Sequence, residues 1–412
     1  MSNSVGPKNG AGLSTIAALT RDQHEAALLL GRTREQQQEL GYFHTLREIL
    51  QQPATWLQTG RELASMRSEL LRTVDGVKLL ALTGSGSSEY AGECLRLTLQ
   101  NELAIPAQTI AGGDLLTHGA RAIAPGRPGL MLSLARSGDS PESVAAVAAM
   151  LEAEPAIRHL VITCNTAGKL AATYADDPRV RVVVLADETN DRSLVMTSSF
   201  TNMVLAARFL GMLGTPDEYE AVAAKLSGKA AELLDAHFDA LAELARRDFR
   251  RVLFLADGPG VGAACESALK MTEMTAGRVV SMHETYLGLR HGPMSAVHAD
   301  TLVVCYLASD PLVRAYEVDL IRELNAKRLG GWKLLFGEAI PADLAQDGDV
   351  VIDCEGLNEI GDGNLPVLEV VIGQLLAFFR CLKEGLKPDS PSSDGVINRV
   401  VQEFTLHGGA NG

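Results

Sequence analysis

The 412-residue sequence is short of positive charge: 37 lysines and arginines stand against 51 acidic residues, a formal net charge of −14. A broad nucleic-acid surface needs a basic footprint, so this shortage argues against one. It leaves room for a small phosphorylated ligand, because backbone N–H groups and hydroxyls at a helix start can hold phosphate without net positive charge. No run of 18 or more apolar residues occurs, so no transmembrane helix is expected. The opening MSNSVGPKNGAG lacks the apolar stretch of a signal peptide and reads as a disordered tail over 1–12. Cys94, Cys164, Cys265, Cys305, Cys354 and Cys381 form no C-x-x-C pair, and most lie in apolar segments. That is the usage of reduced, buried thiols in a cytoplasmic protein. No G-x-x-x-x-G-K-[ST], H-E-x-x-H or Cys/His ligand spacing is present, so neither a lysine-bearing P-loop nor a metal centre is expected.

What is there is a globular composition, 46% hydrophobic and 21% charged, on a chain long enough for two or three domains. Residues 13–75 mix apolar and charged residues at helical spacing, with Thr20 as a candidate cap, Gly31 as a stop and an interruption at Pro53. From residue 79 short β-branched runs alternate with Ala-rich helical stretches. The runs start at 79, 129, 160 and 181, then again at 251, 301, 332 and 349. The first two intervals are the same in both halves, and a minor run follows each first helix, at 104–111 and 277–284. Continuous apolar strands alternating with helices predict a parallel sheet covered on both faces, an α/β fold. The repeated spacing predicts two such doubly wound domains in tandem, 76–215 and 249–385, joined by a helical connector over 216–248. The remainder, 386–412, starts with the flexible stretch KPDSPSSDG.

The first strand of the first domain runs into TGSGSSEYAGECL. Gly84 and Gly86 allow tight turning, while Ser85, Ser87 and Ser88 place hydroxyls beside the free N–H groups of a helix start. A dinucleotide fingerprint fails, because Glu89 stands where G-x-G-x-x-G needs glycine. The second strand runs into LARSGDSPESVAAV, with Ser137, Gly138, Asp139 and Ser140 before Pro141, a suitable first helical residue, and Glu142. Ser140 is either a simple N-cap or part of an anion pocket. Strand ends of a doubly wound sheet converge on one crevice, so two serine-rich turns favour the pocket. A third cluster, DETNDRSLVMTSSFTNM, holds Thr197, Ser198 and Ser199, again readable as a helix cap. Together the turns predict a phosphate monoester held without metal. In the second domain Glu266, Lys270 and Glu273 fall on one helical face at spacings of four and three. They are either a solvated stripe or, given the Ala, Leu, Met and Cys around them, a buried working group. His291 follows in the glycine-rich turn GLRHGP.

These segments resemble the sugar-isomerase (SIS) domain family. The similarity rests on GSGSSEYAG, SLARSGDSPES, NDRSLVMTSSFT, ESALKMTEMTAG and GLRHGP. With HTLREILQQPATW and INRVVQEFTLH, it is closest to the tagatose-6-phosphate ketose/aldose isomerases, also described as galactosamine-6-phosphate deaminase/isomerases. The resemblance implies two tandem flavodoxin-like SIS domains and a homodimer with a shared active site. It implies aldose–ketose isomerisation of a hexose or hexosamine 6-phosphate, with deamination of an amino sugar, and no cofactor. It places substrate on Gly86, Ser87, Ser88, Arg136, Ser137, Ser140, Thr197, Ser198, Glu266 and Arg290. It makes Glu273 the base, Lys270 its lysine and His291 the ring-opening group, contributed by a partner subunit, and puts the C-terminal tail near the site. Four residues depart from the family pattern: Asp257, His283, Glu284 and Tyr286. Gln402 stands where the related glucosamine-6-phosphate synthase has lysine. A non-catalytic phosphosugar sensor is the alternative, and the retained acid/base residues favour an enzyme.

Overall fold

The computed structural model describes residues 23–124, 126–392, 394–402 and 404–407. The expected 1–12 tail and the Thr20 cap lie outside the described residues. Strands β1 Leu80–Gly84, β2 Ala107–Ala111, β3 Gly129–Ala135, β4 Ile157–Thr163 and β5 Val180–Val184 form one parallel sheet in the order β2-β1-β3-β4-β5. Strands β6 Arg251–Leu255, β7 Val280–Glu284, β8 Thr301–Tyr306, β9 Trp332–Gly337 and β10 Val350–Asp353 form a second parallel sheet with the equivalent order, β7-β6-β8-β9-β10. Leu80 pairs with Leu130, and Arg251 pairs with Thr301, the same step along the chain in each half. The fold is therefore α/β with two tandem domains, as the repeated spacing predicts.

The apolar runs become strands because helices cover both faces. The central strands β1, β3 and β8 are buried along their whole length, whereas the edge strands β5, β7 and β10 carry exposed positions. Side chains alternate between faces. Leu80, Leu82, Leu130 and Leu132 from the first sheet and Val252, Phe254, Leu302 and Val304 from the second share one central core. Ala81, Met131 and Val161 face a separate outer core with Ala146, Val147 and Met150 of helix Pro141–Ala153. Leu253, Val303 and Leu335 do the same with Leu320, Ile321 and Leu324 of helix Pro311–Lys327.

Between the sheets, helix Gly260–Met274 packs against helices Pro366–Lys383 and Ser87–Leu103. The approach to the last is close at Gly262, where a Cβ would lie 2.4 Å from the Cys94 nitrogen. This glycine brings a second-domain helix directly alongside the helix that starts at the first domain's serine turn. The N-terminal helices Phe43–Leu50 and Gln52–Ser65 pack on this assembly, with Pro53 tolerated in the first turn of the latter. Helix Pro216–Ala245 runs between the two sheets and packs on Gln52–Ser65 and Pro366–Lys383. Among the described residues no helix is long and apolar enough to cross a membrane.

Candidate active site

The strand order reverses between β1 and β3, so the connections leaving them diverge and open a crevice at their C-terminal ends. A cavity of about 440 Å³ occupies it, within the size range of small-ligand sites. Ser85, Gly86, Ser87 and Ser88 line one side, and Arg136, Ser137, Gly138, Ser140, Glu142 and Ser143 the other. Gly86 precedes helix Ser87–Leu103 at φ +57°, a conformation other residues rarely adopt, and no side chain caps the helix start, which borders the cavity. The side chain of Ser140 makes no capping bond to its own helix, so it is not a simple N-cap. Ser137 Oγ accepts from the Asp139 N–H at 3.2 Å and keeps its own proton to donate. The result is a cradle of hydroxyls and helix-start N–H groups, suited to a phosphate.

Arg136 stands at the wall differently from a free phosphate ligand. It is buried, and its guanidinium donates to the carbonyls of Leu194 at 2.9 Å, Ser193 at 3.4 Å and Arg399. Burial and the neighbouring Arg399 guanidinium push its pKa down. Its bonds clamp two segments, one from the third hydroxyl cluster and one from the C-terminal tail that the resemblance puts near the site. One is the loop carrying Leu194 and Met196; the other is a stretch of the C-terminal segment, Gly395–Arg399 with Val401 and Gln402. Both line the cavity. Arg399 ties them together, donating to Asp191 O at 2.8 Å and Asn190 Oδ1 at 2.7 Å. Behind the loop, Glu48 Oε1 accepts from the N–H groups of Arg192 at 2.6 Å and Ser193 at 3.3 Å. Burial, and secondarily the Asp191 carboxylate, raise the Glu48 pKa to about 8.

Opposite the cradle, helix Gly260–Met274 presents its charged face. Glu273 lines the cavity with its side chain 22% exposed, while Lys270 and Glu266 behind it are wholly buried. This settles the two readings of the stripe against a solvated face. Lys270 Nζ donates to Ser87 Oγ at 3.1 Å and to Glu273 Oε2, and lies 3.3 Å from Glu266 Oε1. Burial works to lower the Lys270 pKa, but the Glu266 and Glu273 carboxylates outweigh it, so the net shift is upward and the ammonium stays charged. Burial pushes Glu266 up to about 7, against the pull of Lys270. Glu266 does not reach the cavity, contrary to its expected contact with substrate.

Other expected site residues lie elsewhere. Thr197 and Ser198 do not line the cavity. Their N–H and hydroxyl groups, with those of Ser199, all donate to the Asp191 carboxylate, which caps helix Ser198–Arg208. These hydroxyls are committed to the fold. Asp191→Ala would strand several buried donors, and a loss of at least about 3 kcal/mol is expected, read as a lower midpoint in urea unfolding. His291 is exposed and outside the cavity of its own chain; its N–H donates to Gly288 O at 2.9 Å. Arg290 pairs with Glu323 at 2.7 Å rather than with a ligand position. Of the departures from the family pattern, Gln402 lines the cavity, whereas Asp257, His283, Glu284 and Tyr286 fall outside it. Tyr286 is fully buried with its hydroxyl donating to Tyr306 O at 3.0 Å, Glu284 Oε1 accepts from the Thr285 N–H at 2.8 Å, and His283 Nδ1 lies 3.4 Å from Cys265 Sγ. Asp257 is half-buried, its pKa raised by burial.

No protein-family model matches the chain. A Streptomyces coelicolor protein, provisionally named D-galactosamine-6-phosphate deaminase AgaS, is 38% identical over 371 residues, which are 88% of this chain and 95% of that protein. The D-galactosamine-6-phosphate deaminase AgaS of Shewanella sp. (strain ANA-3) is 34% identical over 394 residues, 93% of this chain and 97% of its own. A Clostridium novyi crystal structure, provisionally named a tagatose-6-phosphate ketose/aldose isomerase, matches with a TM-score of 0.86 at 30% identity, covering 92% of this chain and 99% of that one. The chain thus belongs to the sugar-isomerase (SIS) family of phosphosugar isomerases and deaminases.

Proposed function

We propose that this chain deaminates and isomerises D-galactosamine 6-phosphate, giving tagatose 6-phosphate and ammonia. The observation that carries the reading is the shared cavity: Glu273, backed by a charged lysine, opens into the same space as the hydroxyl cradle. The names of the relatives support the choice of an amino sugar.

The cradle of Ser88, Ser137 and Ser140 holds the 6-phosphate, with Gly86 and Ser87 at the helix start and the Arg136 charge at the wall. Remote binding energy of this kind positions the reacting carbons. With the ring open, Glu273 takes the proton from C2 and returns it to C1. The intermediate is an enolamine, which becomes the C2 imine; water then displaces ammonia and leaves the ketose phosphate. Lys270 holds Glu273 in place and offsets negative charge as it develops. His291 supplies the proton transfer that opens the ring, a task suited to imidazole near neutral pH. Because it is exposed and away from its own cavity, it serves the site of a second copy, and the working unit is a homodimer. The buried free thiols of Cys94, Cys164, Cys305 and Cys381 support a reducing, cytoplasmic setting.

Incubation with galactosamine 6-phosphate is expected to give equal amounts of ammonia and ketose phosphate, faster than any product from glucosamine 6-phosphate or the plain hexose 6-phosphates. A protein that binds these compounds and converts none of them would contradict the proposal.

A further inference from the structure

We infer that Glu48 is a positioning residue for phosphosugar binding: from behind the loop 190–196 it fixes the wall that sets the Arg136 guanidinium beside the cradle. The inference rests on the reading of this cavity as the phosphosugar site, and it brings the N-terminal helix Phe43–Leu50 into that site.

The loop is held from two sides. On the cavity side its oxygens accept from two arginines. Arg136 donates to Ser193 O at 3.4 Å and Leu194 O at 2.9 Å, and Arg399 donates to Asp191 O at 2.8 Å and Asn190 Oδ1 at 2.7 Å. On the far side its N–H groups find other partners. Those of Arg192 and Ser193 donate to Glu48 Oε1 at 2.6 and 3.3 Å, and that of Leu194 donates to Asp389 O at 3.1 Å. The Asp389 carboxylate also accepts from the N–H groups of His44 and Thr45, at 3.1 and 2.7 Å, and so ties the start of the Glu48 helix to the same loop. The hydrogen bonds of the Arg136 guanidinium go to three backbone carbonyls, two of them in this loop. The position of the loop therefore sets the position of the charge, and Leu194 and Met196 of the loop line the cavity themselves.

The Ser193 hydroxyl identifies the state of the Glu48 carboxyl. Ser193 Oγ contacts both Glu48 Oε2 and, at 3.2 Å, Val195 O. A hydroxyl has one proton, and a carbonyl only accepts. Both contacts are filled when the Ser193 proton goes to Val195 O and the carboxyl supplies a proton to Ser193 Oγ. Burial, and secondarily the Asp191 carboxylate, favour this neutral form. Asp191 is occupied elsewhere, by the donors of Thr197, Ser198 and Ser199. A neutral carboxyl and a carboxamide offer the loop the same pattern, one accepting oxygen and one donor.

The test is steady-state kinetics with galactosamine 6-phosphate, calorimetric titration with inorganic phosphate and thermal melts, on wild type, Glu48→Gln, Glu48→Ala and Glu48→Asp. Glu48→Ala strands two N–H groups and a hydroxyl, and it frees the loop and Arg136 to move. It is expected to raise KM about tenfold or more and to weaken phosphate binding in step, with kcat within about threefold of wild type. Glu48→Gln keeps the hydrogen-bond pattern and is expected to stay within about threefold of wild type in all three. Lost stability alone would lower the active fraction, and with it the apparent kcat, without moving KM. A wild-type KM in the alanine variant, a loss confined to kcat, or a glutamine variant as impaired as alanine overturns the inference. If the alanine variant does not fold, Glu48→Asp decides: withdrawing the carboxyl by one methylene should raise KM at constant kcat, and an unchanged KM overturns the inference. A wild-type protein that converts no sugar phosphate would instead remove the functional reading beneath it. The phosphate titration then decides for Glu48 alone, so the two failures are distinguishable.

Discussion

Glu273→Gln is expected to lower turnover by about 10²- to 10⁴-fold while phosphosugar affinity stays within a few-fold of wild type. The side chains are of nearly equal size, so the cavity wall keeps its shape, and Lys270 can still donate to an amide oxygen. What disappears is the group that accepts the C2 proton. Ser88, Ser137 and Ser140, the residues proposed to hold the phosphate, line the same cavity without a hydrogen bond to Glu273. A loss in kcat with binding retained marks an interaction made only as the proton moves. Calorimetric titration alongside steady-state kinetics separates the two terms. Near-wild-type turnover in the glutamine variant would remove Glu273 from the reaction.

Mixing two inactive variants should restore activity. Homodimers of Glu273→Gln lack the base at both sites, and homodimers of His291→Ala lack the ring-opening group at both. If His291 acts on the partner's cavity, a mixed dimer contains one site with neither lesion. Random exchange of subunits makes about half the dimers mixed, and half their sites intact, so activity should recover to about a quarter of wild type. Subunit exchange through mild denaturant followed by the ammonia assay reads this directly. If His291 served its own chain, a mixed dimer would hold two damaged sites and the mixture would stay inactive.

The fold was legible because its two halves repeat. The runs beginning at 79 and 129, and at 251 and 301, became the paired strands β1/β3 and β6/β8 with the same register step. The minor runs became the edge strands β2 and β7, which flank the same central strands in each sheet. The cradle was legible for a local reason: glycine and serine between a strand and a helix give free N–H groups whatever surrounds them. The third hydroxyl cluster shows where this reasoning stops. Thr197 and Ser198 have the composition of a ligand turn, but Asp191, six and seven residues earlier, takes their donors. A cap and a phosphate offer the same acceptor chemistry, so only tertiary placement separates them. Glu266, Lys270 and Glu273 were placed on one face by spacing alone. Depth along that face decides which one reaches the cavity, and the Gly262–Cys94 approach of two helices helps to set that depth. The Gly395–Gln402 roof and the Leu194–Met196 loop depend on long-range bonds from Arg136 and Arg399 that no local pattern encodes. His291 carries a signal of its own, a histidine in a glycine-rich turn, yet it lies exposed and outside the cavity of its own chain.

The central claim is that a carboxylate in this cavity moves the proton between C2 and C1 of an amino sugar 6-phosphate. The direct measurement is NMR of galactosamine 6-phosphate incubated with the wild-type protein in D₂O. The account predicts deuterium at C2 of recovered substrate or at C1 of the ketose phosphate, appearing together with ammonia and absent with Glu273→Gln. Ammonia and ketose released without deuterium at either carbon by an enzyme that exchanges its carboxyl proton with solvent, or deuterium entering equally fast in the glutamine variant, would contradict it.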